Sequence, residues 1–268
     1  MPTSSLPQKL PTGLSQVGIN ILLIFAFLCF RLLFDFNMGG GGWNEIDVLP
    51  LARQSVDPNW VPTDWYLNQP AGYRFLFQTI FGTIAATWGF LATSLIGRLF
   101  CYGLVAIGLG LLGQKLGLSR PALFAAVVLF VMAGCGDNLQ GCEQGAIARE
   151  WLVGGLETKA IAYGAVLPAL WLLLSGQYLW AAFLLGIATT FHVLVGGWAF
   201  LVTLAWLGLH RDRISSLRQW LLIPLVYLIG SAFAIVPVIR QLTSPTPTSV
   251  ISPSFIYVFL RLSHHLNP

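Results

Sequence analysis

Two carboxylates separated by a single residue are the clearest chemical signal in the sequence. Glu45 and Asp47 lie in the polar stretch 35–74, which carries half of the ten acidic residues of the chain. Carboxylates at this spacing could share a Mg²⁺ or Mn²⁺ ion, or one could hold the metal while the other acts as a general base. A solvated acidic loop is the alternative explanation of the pair. The sequence therefore places its candidate catalytic site in this stretch.

The other acids of this stretch have structural explanations. Asp57 precedes Pro58, and Asp64 follows a Pro-Thr pair. Both fit turns or helix caps, so they are secondary candidates for the site. Asp35 lies four residues after Arg31, a spacing that lets the two side chains meet on one helix face.

Three arginines near the predicted outer leaflet form a second candidate group. Arg31, Arg98 and Arg240 could together hold a lipid phosphate, because guanidinium forks match phosphate oxygens. Arg98 lies roughly eight residues, or about 12 Å, inside its apolar segment, so it needs a carboxylate or phosphate partner. Internal ion pairs are the alternative to a phosphate site.

The histidines and cysteines add only secondary candidates. His192 lies at a break between two short apolar segments, and His264 and His265 are adjacent near the end of the sequence. Neighbouring residues of a helix point about 100° apart, so the last two do not form a metal-binding pair. Cys135 and Cys142 flank a polar turn and form either a disulfide or two free thiols. The sequence has no zinc-protease, nucleophile-elbow or Walker motif and no cluster typical of nucleic-acid binding.

The composition indicates an integral membrane protein. Hydrophobic residues make up 56% of the chain and charged residues 9%, whereas an ordinary soluble domain has about 25% charged residues. The mean hydropathy is +0.75. The first apolar run, 17–36, is longer than the apolar part of a signal peptide, and no small-residue cleavage site follows it. We therefore expect an uncleaved first membrane span.

Apolar runs of about 20 residues are needed to cross a bilayer, and they predict an all-α membrane domain, 17–268, after a cytoplasmic tail, 1–16. An outer loop, 37–89, follows the first span, and an outer tail, 239–268, follows the last one. The stretches 72–89 and 144–156 fit helices that lie in the outer interface. The predicted spans number about seven: 17–36, 90–113, 119–136, 158–175, 178–191, 195–209 and 219–238.

The basic residues of the short loops set the predicted orientation. With Lys9 in the cytoplasm and seven crossings, the same side also receives the other loop cations: Lys115, Arg120, Arg211, Arg213 and Arg218. The C-terminal tail and all acidic residues except Asp212 then face outward. This predicts a multi-pass protein of the plasma (inner) membrane with a functional outer surface.

Three stretches carry a family resemblance: NEIDVLPLARQSVDPNWVPTDWYLNQPAGYRFLFQ, ETKAIAYGAVLPALWLLLSGQYLWAAFLLGIATTFHVLVGGW and RLSHHLNP. They resemble an uncharacterised bacterial multi-pass family related to the GT-C superfamily of glycosyltransferases, which use sugars carried on polyprenyl phosphate. The resemblance covers most of residues 17–268 and implies the N-terminal half of a GT-C fold. GT-C proteins usually continue with more spans, so the resemblance also implies a C-terminally truncated chain with a separate C-terminal half as a partner.

The resemblance implies a role for the acidic pair. The first-loop acid of GT-C enzymes is a general base or positions a metal, and that role falls on Glu45 or Asp47. From the residues themselves we expect Arg98 and Arg240 to hold the phosphate of a lipid-linked sugar, and membrane lipids to surround the protein. The implied function is glycosyl transfer on the outer face of the membrane. The alternatives are a lipid or solute transporter, and an inactive fragment or scaffold of a GT-C-like protein.

Overall fold

The computed structural model describes residues 13–35, 45–132, 155–214 and 216–243. They are 84% helix and contain no strand, which confirms the all-α prediction. Short 3-10 turns lie at Gly72–Arg74 and Arg211–Arg213. The α-helices are α1 (Gly13–Asp35), α2 (Glu45–Val56), α3 (Phe75–Lys115), α4 (Arg120–Met132), α5 (Thr158–Leu174), α6 (Tyr178–Phe191), α7 (Val193–Leu209), α8 (Leu217–Gly230) and α9 (Ala232–Thr243).

The helices pack around two main hydrophobic cores. The first core joins α1 to α4 and the start of α5, through side chains such as Leu28, Phe77 and Ile161. The second core joins α5 to α8, through side chains such as Leu173 and Leu185. Helix α5 therefore belongs to both cores, and helix α2, which carries the candidate acids, packs in the first.

Helix α2 lies inside the stretch 37–89, which the sequence predicts as an outer loop with a helix only near its end. Val48, Leu49 and Ala52 are buried at helical spacing and pack in the first core. Pro50 conceals this helix in the sequence, because proline lacks a backbone donor and usually ends a helix. Packing against α3 thus overrides the local signal.

Helix α3 is 41 residues long and is kinked at Gly89, whose φ of 79° suits glycine and few other residues. The sequence places a boundary here, between an interfacial helix and the second span. The structure has its break at this boundary, because the Gly89 backbone is not helical and the two helical parts meet there at a kink. Arg53 from α2 lies at the kink, where its Nη1 donates to the Ala85 carbonyl at 3.5 Å and its guanidinium lies 4.9 Å from the Trp60 ring centre.

The stretch 219–238, predicted as one span, contains the end of one helix and the start of another. Helices α8 and α9 meet at an angle of 74°. The bend follows Gly230, and the Ser231 hydroxyl donates back to the Tyr227 carbonyl at 2.9 Å. A serine that bonds the preceding turn is a known cause of helix bending.

One helical segment among the described residues, Gly72–Lys115, is long and apolar enough to cross a membrane. Helices α8 and α9 would make a second if the bent pair is one span. Shorter apolar helices of 10–17 residues are found at Gln16–Phe30, Arg120–Val131, Thr158–Leu174, Tyr178–Phe191 and Val193–Leu209. The seven crossings and their orientation stay a prediction.

Candidate functional site

Glu45 and Arg98 form an ion pair in the interior of the first core. Glu45 begins α2, and Arg98 lies in the middle of α3. The guanidinium Nε donates to Glu45 Oε1 at 2.9 Å, and Nη2 donates to Oε2 at 2.5 Å, so the contact is bidentate. The residues are 6% and 1% exposed, respectively. Arg98 therefore has the carboxylate partner that its depth requires.

Two further donors complete the surroundings of the Glu45 carboxylate. Ser94, one turn before Arg98 on α3, directs its hydroxyl to Oε2 at 3.0 Å and to Oε1 at 3.2 Å. The backbone N–H of Leu156 donates to Oε1. An ionised carboxylate offers about four acceptor positions. The donors from α3 and Leu156 occupy them, which leaves Glu45 little capacity to accept a proton from a substrate.

Glycines on α3 let the neighbouring segments come close to this ion pair. A Cβ atom at Gly97 would overlap the side chain of Leu156, and one at Gly82 would overlap the carbonyl oxygen of Ala52. The second contact is with backbone, so α2 could not keep its place beside a larger residue. The small residues thus bring α2 and residue 156 within reach of α3.

Asp47 lies on the other side of α2 from Glu45. Residues two positions apart on a helix point about 200° apart, so Glu45 faces the core and Asp47 faces the loop. The Tyr66 hydroxyl is shared between the two carboxylate oxygens of Asp47, at 2.7 and 2.8 Å. Tyr66 is 42% exposed, and Asp47 is partly exposed. The structure thus separates two acids that the sequence presents as a pair.

Arg74 brings a positive charge towards Asp47. It ends the 3-10 turn Gly72–Arg74 and interacts electrostatically with Asp47, and its Nε donates to the Tyr73 hydroxyl at 3.3 Å. Helix α9, which carries Arg240 in its last turn, packs against the same 3-10 turn. The 3-10 turn therefore lies between the electrostatic surroundings of Asp47 and the helix that carries Arg240.

A network centred on Gln54 holds the loop 57–71, which carries Tyr66. Gln54 is 2% exposed, and its Nε2 donates to the Pro58 carbonyl at 2.8 Å and to Asn68 Oδ1 at 2.9 Å. Its Oε1 accepts from the backbone N–H of residue 61 at 3.0 Å. An open cleft of about 290 Å³ lies between α2, this loop and the start of α3. The loop is therefore an ordered wall beside Asp47.

The secondary acids and His192 have local bonds. Asp64 Oδ1 accepts from the backbone N–H of Leu67 at 2.9 Å, and an Asp57 oxygen lies 3.9 Å from Arg53 Nη2. His192 caps α7, because its Nδ1 accepts from a backbone N–H of the first turn at 3.3 Å. The other candidates lie outside the described part of the chain: the side chains of Arg31 and Asp35, and residues Cys135, Cys142, His264 and His265.

Glu45 and Asp47 do not fit the role of joint ligands for Mg²⁺ or Mn²⁺. They face opposite sides of α2, and the oxygens of Glu45 are taken by Arg98, Ser94 and a backbone N–H. Within the described ranges, no group of three or more His, Cys, Asp or Glu side chains could hold a metal ion. The two acids therefore do not form a shared metal site.

The sequence does not point to two of the residues that now surround Asp47. Tyr66 lies 19 residues from Asp47, and Arg74 lies in a different turn. Both fall in the polar stretch that the sequence singles out, but spacing alone does not show that Tyr66 bonds the Asp47 carboxylate or that Arg74 lies within electrostatic range of it. Glu157, beside Leu156, is also buried, at 4% exposed, although the sequence predicts it only as an acid of the outer face.

No protein-family model, no curated protein and no solved structure matches this chain. The resemblance to GT-C proteins is therefore an expectation from the sequence, and the function has to be argued from the geometry of the site.

Proposed function

We propose that this chain is a GT-C-like membrane protein that transfers a sugar from a lipid-phosphate carrier to an acceptor on the outer face, with Asp47 as the general base. One observation carries the proposal. Asp47 is a partly exposed carboxylate that a phenol orients and that lies within electrostatic range of an arginine. A base needs access to its substrate, and Asp47 has it.

Glu45 is the poorer candidate for the base. Its oxygens already accept hydrogen bonds from Arg98, Ser94 and Leu156 in the core. A base in that position would have to give up a bidentate bond before it could take a proton. Of the two acids that the resemblance offers, Asp47 is the one whose surroundings suit proton transfer.

The proposed step is an inverting displacement. The acceptor hydroxyl gives its proton to an Asp47 oxygen while its own oxygen bonds to the anomeric carbon of the sugar. The bond from that carbon to the phosphate oxygen breaks, and the lipid phosphate leaves with the electron pair. Arg74, with Arg240 on the neighbouring α9, would neutralise the charge that grows on the phosphate. Tyr66 would hold the carboxylate in place.

The exposed apolar surface supports a membrane setting for this reaction. Large apolar side chains of the C-terminal helices face outward, among them Leu194, Trp198 and Leu201 on α7, which are 64%, 65% and 54% exposed. A soluble monomer rarely leaves so many large apolar side chains in water. A lipid-linked sugar would reach an outer-face site from the same surroundings.

A transfer assay tests this proposal. Membranes that contain the protein are given a labelled polyprenyl-phosphate sugar, and the label in the acceptor fraction is measured. Turnover of the Asp47→Asn variant should fall by a factor of about 10² to 10⁴, because a positioned base contributes about that factor to the rate. The matched control is Asp212→Asn, which removes an exposed acid from the turn Arg211–Arg213. Wild-type turnover in Asp47→Asn would contradict the assignment.

A transporter is the second candidate, and the interrupted helices favour it. Helix α3 is kinked at Gly89, α6 and α7 are separated at His192, and α8 and α9 meet at 74°. Broken helices are common at transporter substrate sites. Movement of labelled lipid-phosphate sugar from one leaflet to the other in proteoliposomes, without transfer to an acceptor, would favour this candidate. Transfer without such movement would favour the enzyme.

A further inference from the structure

We propose that the buried Glu45–Arg98 ion pair is a positioning device for Asp47. This inference rests on the proposed function, because it concerns the same base. Glu45 is the first residue of α2, and Asp47 is two residues later on the same first turn. Whatever fixes the first residue of this turn fixes the place and direction of the Asp47 carboxylate.

The geometry of the ion pair fixes both translation and rotation of α2. A single hydrogen bond would let the helix turn about it, whereas two parallel bonds from Nε and Nη2 of Arg98 define a plane. Ser94 on the same helix and the backbone N–H of Leu156 approach the carboxylate as well. Glu45 is thus held from two separate parts of the chain.

The position of the Asp47 carboxylate depends on the contacts of Glu45, because Asp47 lies on the opposite side of the same helical turn. It is about 3 Å further along the helix axis and about 200° around it. A rotation of α2 about its own axis would therefore carry the Asp47 oxygens away from the Tyr66 hydroxyl, which is 2.7 Å away. A misplacement of about 1 Å can cost about 10²-fold in rate.

Stability alone does not explain a charged pair at this position. Apolar residues of similar volume often replace a buried ion pair with no loss of stability, because burying two charges costs nearly as much as their attraction returns. Apolar side chains would, however, allow several rotations of α2. The ion pair selects one of them, and that is the property a catalytic turn needs.

The decisive variant is the double substitution Glu45→Gln with Arg98→Met, which removes both charges and keeps the volume. We expect its thermal unfolding in detergent to be close to wild type, while kcat falls about 10-fold or more and the donor KM changes less than about 3-fold. If the double variant has both the stability and the kcat of the wild type, the proposal is overturned, because the pair would then have no effect on the position of Asp47.

The pH dependence of kcat separates positioning from proton transfer. The double variant should keep an acid limb in its profile at its lower kcat, because Asp47 is still the base even where its contact with the Tyr66 hydroxyl is loosened. Loss of the acid limb would assign the base to Glu45 and overturn the proposal. Arg98→Lys, which keeps the charge but not the fork, should lower kcat in the same direction as the double variant.

A matched control removes a different arginine that links two helices. Arg120 of α4 donates to Gln16 of α1 at 2.5 Å and to Asn20 at 3.2 Å, away from Asp47. Arg120→Met should leave kcat at the wild-type value. A fall in kcat as large as that of the double variant would show that any lost contact between helices has this effect, and would overturn the proposal.

A measurement without turnover keeps this inference separate from the proposed function. Hydrogen exchange of the α2 amides should be at least about 10-fold faster in the double variant than in wild type, relative to the amides of α6. Unchanged protection of α2 would overturn the positioning role even if the transfer assay succeeds. A wild-type protein with no transfer activity would instead defeat the proposed function, and the exchange result would still decide whether the ion pair holds α2.

Discussion

The junction of α2 with α3 and the junction of α6 with α8 solve the same packing problem in different ways. Both bring two helices into close contact at glycines. A Cβ at Gly82 of α3 would overlap the Ala52 carbonyl oxygen, and a Cβ at Gly186 of α6 would lie 2.5 Å from the Tyr227 carbonyl oxygen. In each junction the backbone of one helix rests on the other.

The polar groups of the two junctions differ. The first contains the buried pair of Glu45 and Arg98. The second uses hydroxyls: Thr189 Oγ1 lies 2.9 Å from the Tyr227 hydroxyl, and Thr190 donates to the Gly230 carbonyl at 2.9 Å. From residue 178 onward, no charged side chain is buried among the described residues.

The difference separates packing from positioning. Small residues and hydroxyls are common where two helices come into close contact, and they make up the second junction. The first junction adds two charges that packing does not require. That addition occurs beside the turn that carries Asp47, which is why we connect it with function rather than with the fold.

The largest expected effect is the removal of one charge from the first junction. Arg98→Leu leaves the Glu45 carboxylate buried beside an apolar side chain, so the free energy of unfolding should fall by about 3 to 5 kcal/mol. Thermal unfolding followed by circular dichroism in detergent measures it. A loss below about 1 kcal/mol would mean that the two junctions do not differ in the way described.

The next effect breaks the backbone contact between α6 and α7, beside the second junction. A Cβ at Gly196 would overlap the Thr189 backbone, so Gly196→Ala should destabilise by about 1 to 3 kcal/mol through overpacking. Gly208→Ala on the same helix is the control. Nothing lies within 4 Å of a Cβ at Gly208, so it should be neutral or slightly stabilising. Equal unfolding temperatures for the two variants would refute the close contact.

A smaller effect is expected at Gly97, beside the ion pair. A Cβ there would overlap the Leu156 side chain, which can partly move aside, so Gly97→Ala should cost about 1 to 2 kcal/mol. Gly103→Ala is the control on the same helix, where a Cβ meets open space. The comparison is made by unfolding of the two purified variants, and a more stable Gly97→Ala would contradict the packing described.

The smallest effect concerns the hydroxyls of the second junction. Tyr227→Phe removes one side of the hydrogen bond to Thr189, and Thr189→Val removes the other side together with the bond to the Leu185 carbonyl, so each should cost about 0.5 to 1.5 kcal/mol, with Thr189→Val at the upper end. The double variant should cost less than the sum, and that difference measures the coupling. Purely additive costs would show that the two hydroxyls act independently.

The sequence predicts the helices better than the site. The apolar runs alone predict the positions of α5, α6 and α7, because a helix that is apolar on all sides can be recognised from hydrophobicity without a periodic pattern. They do not reveal α2, whose Pro50 interrupts the local pattern. The depth of Arg98 correctly indicates that it needs a partner, but not which one.

The contacts that decide the site are between residues distant in sequence. Arg98 and Glu45 are separated by 53 residues, and Tyr66 and Asp47 by 19. Spacing within one helix predicts which residues share a face, and it separates Glu45 from Asp47 by rotation. It does not show which partner a residue meets across a junction, because that depends on how the helices pack.

The bond from the Leu156 N–H to Glu45 also has a consequence during synthesis. The two residues are 111 positions apart, so at about 5 to 20 residues per second the ribosome adds Leu156 roughly 6 to 22 s after Glu45. Arg98 is made in between and can meet the carboxylate first. A nascent chain would therefore hold α2 by the side chains of α3 alone, and only the arrival of residue 156 would complete the site.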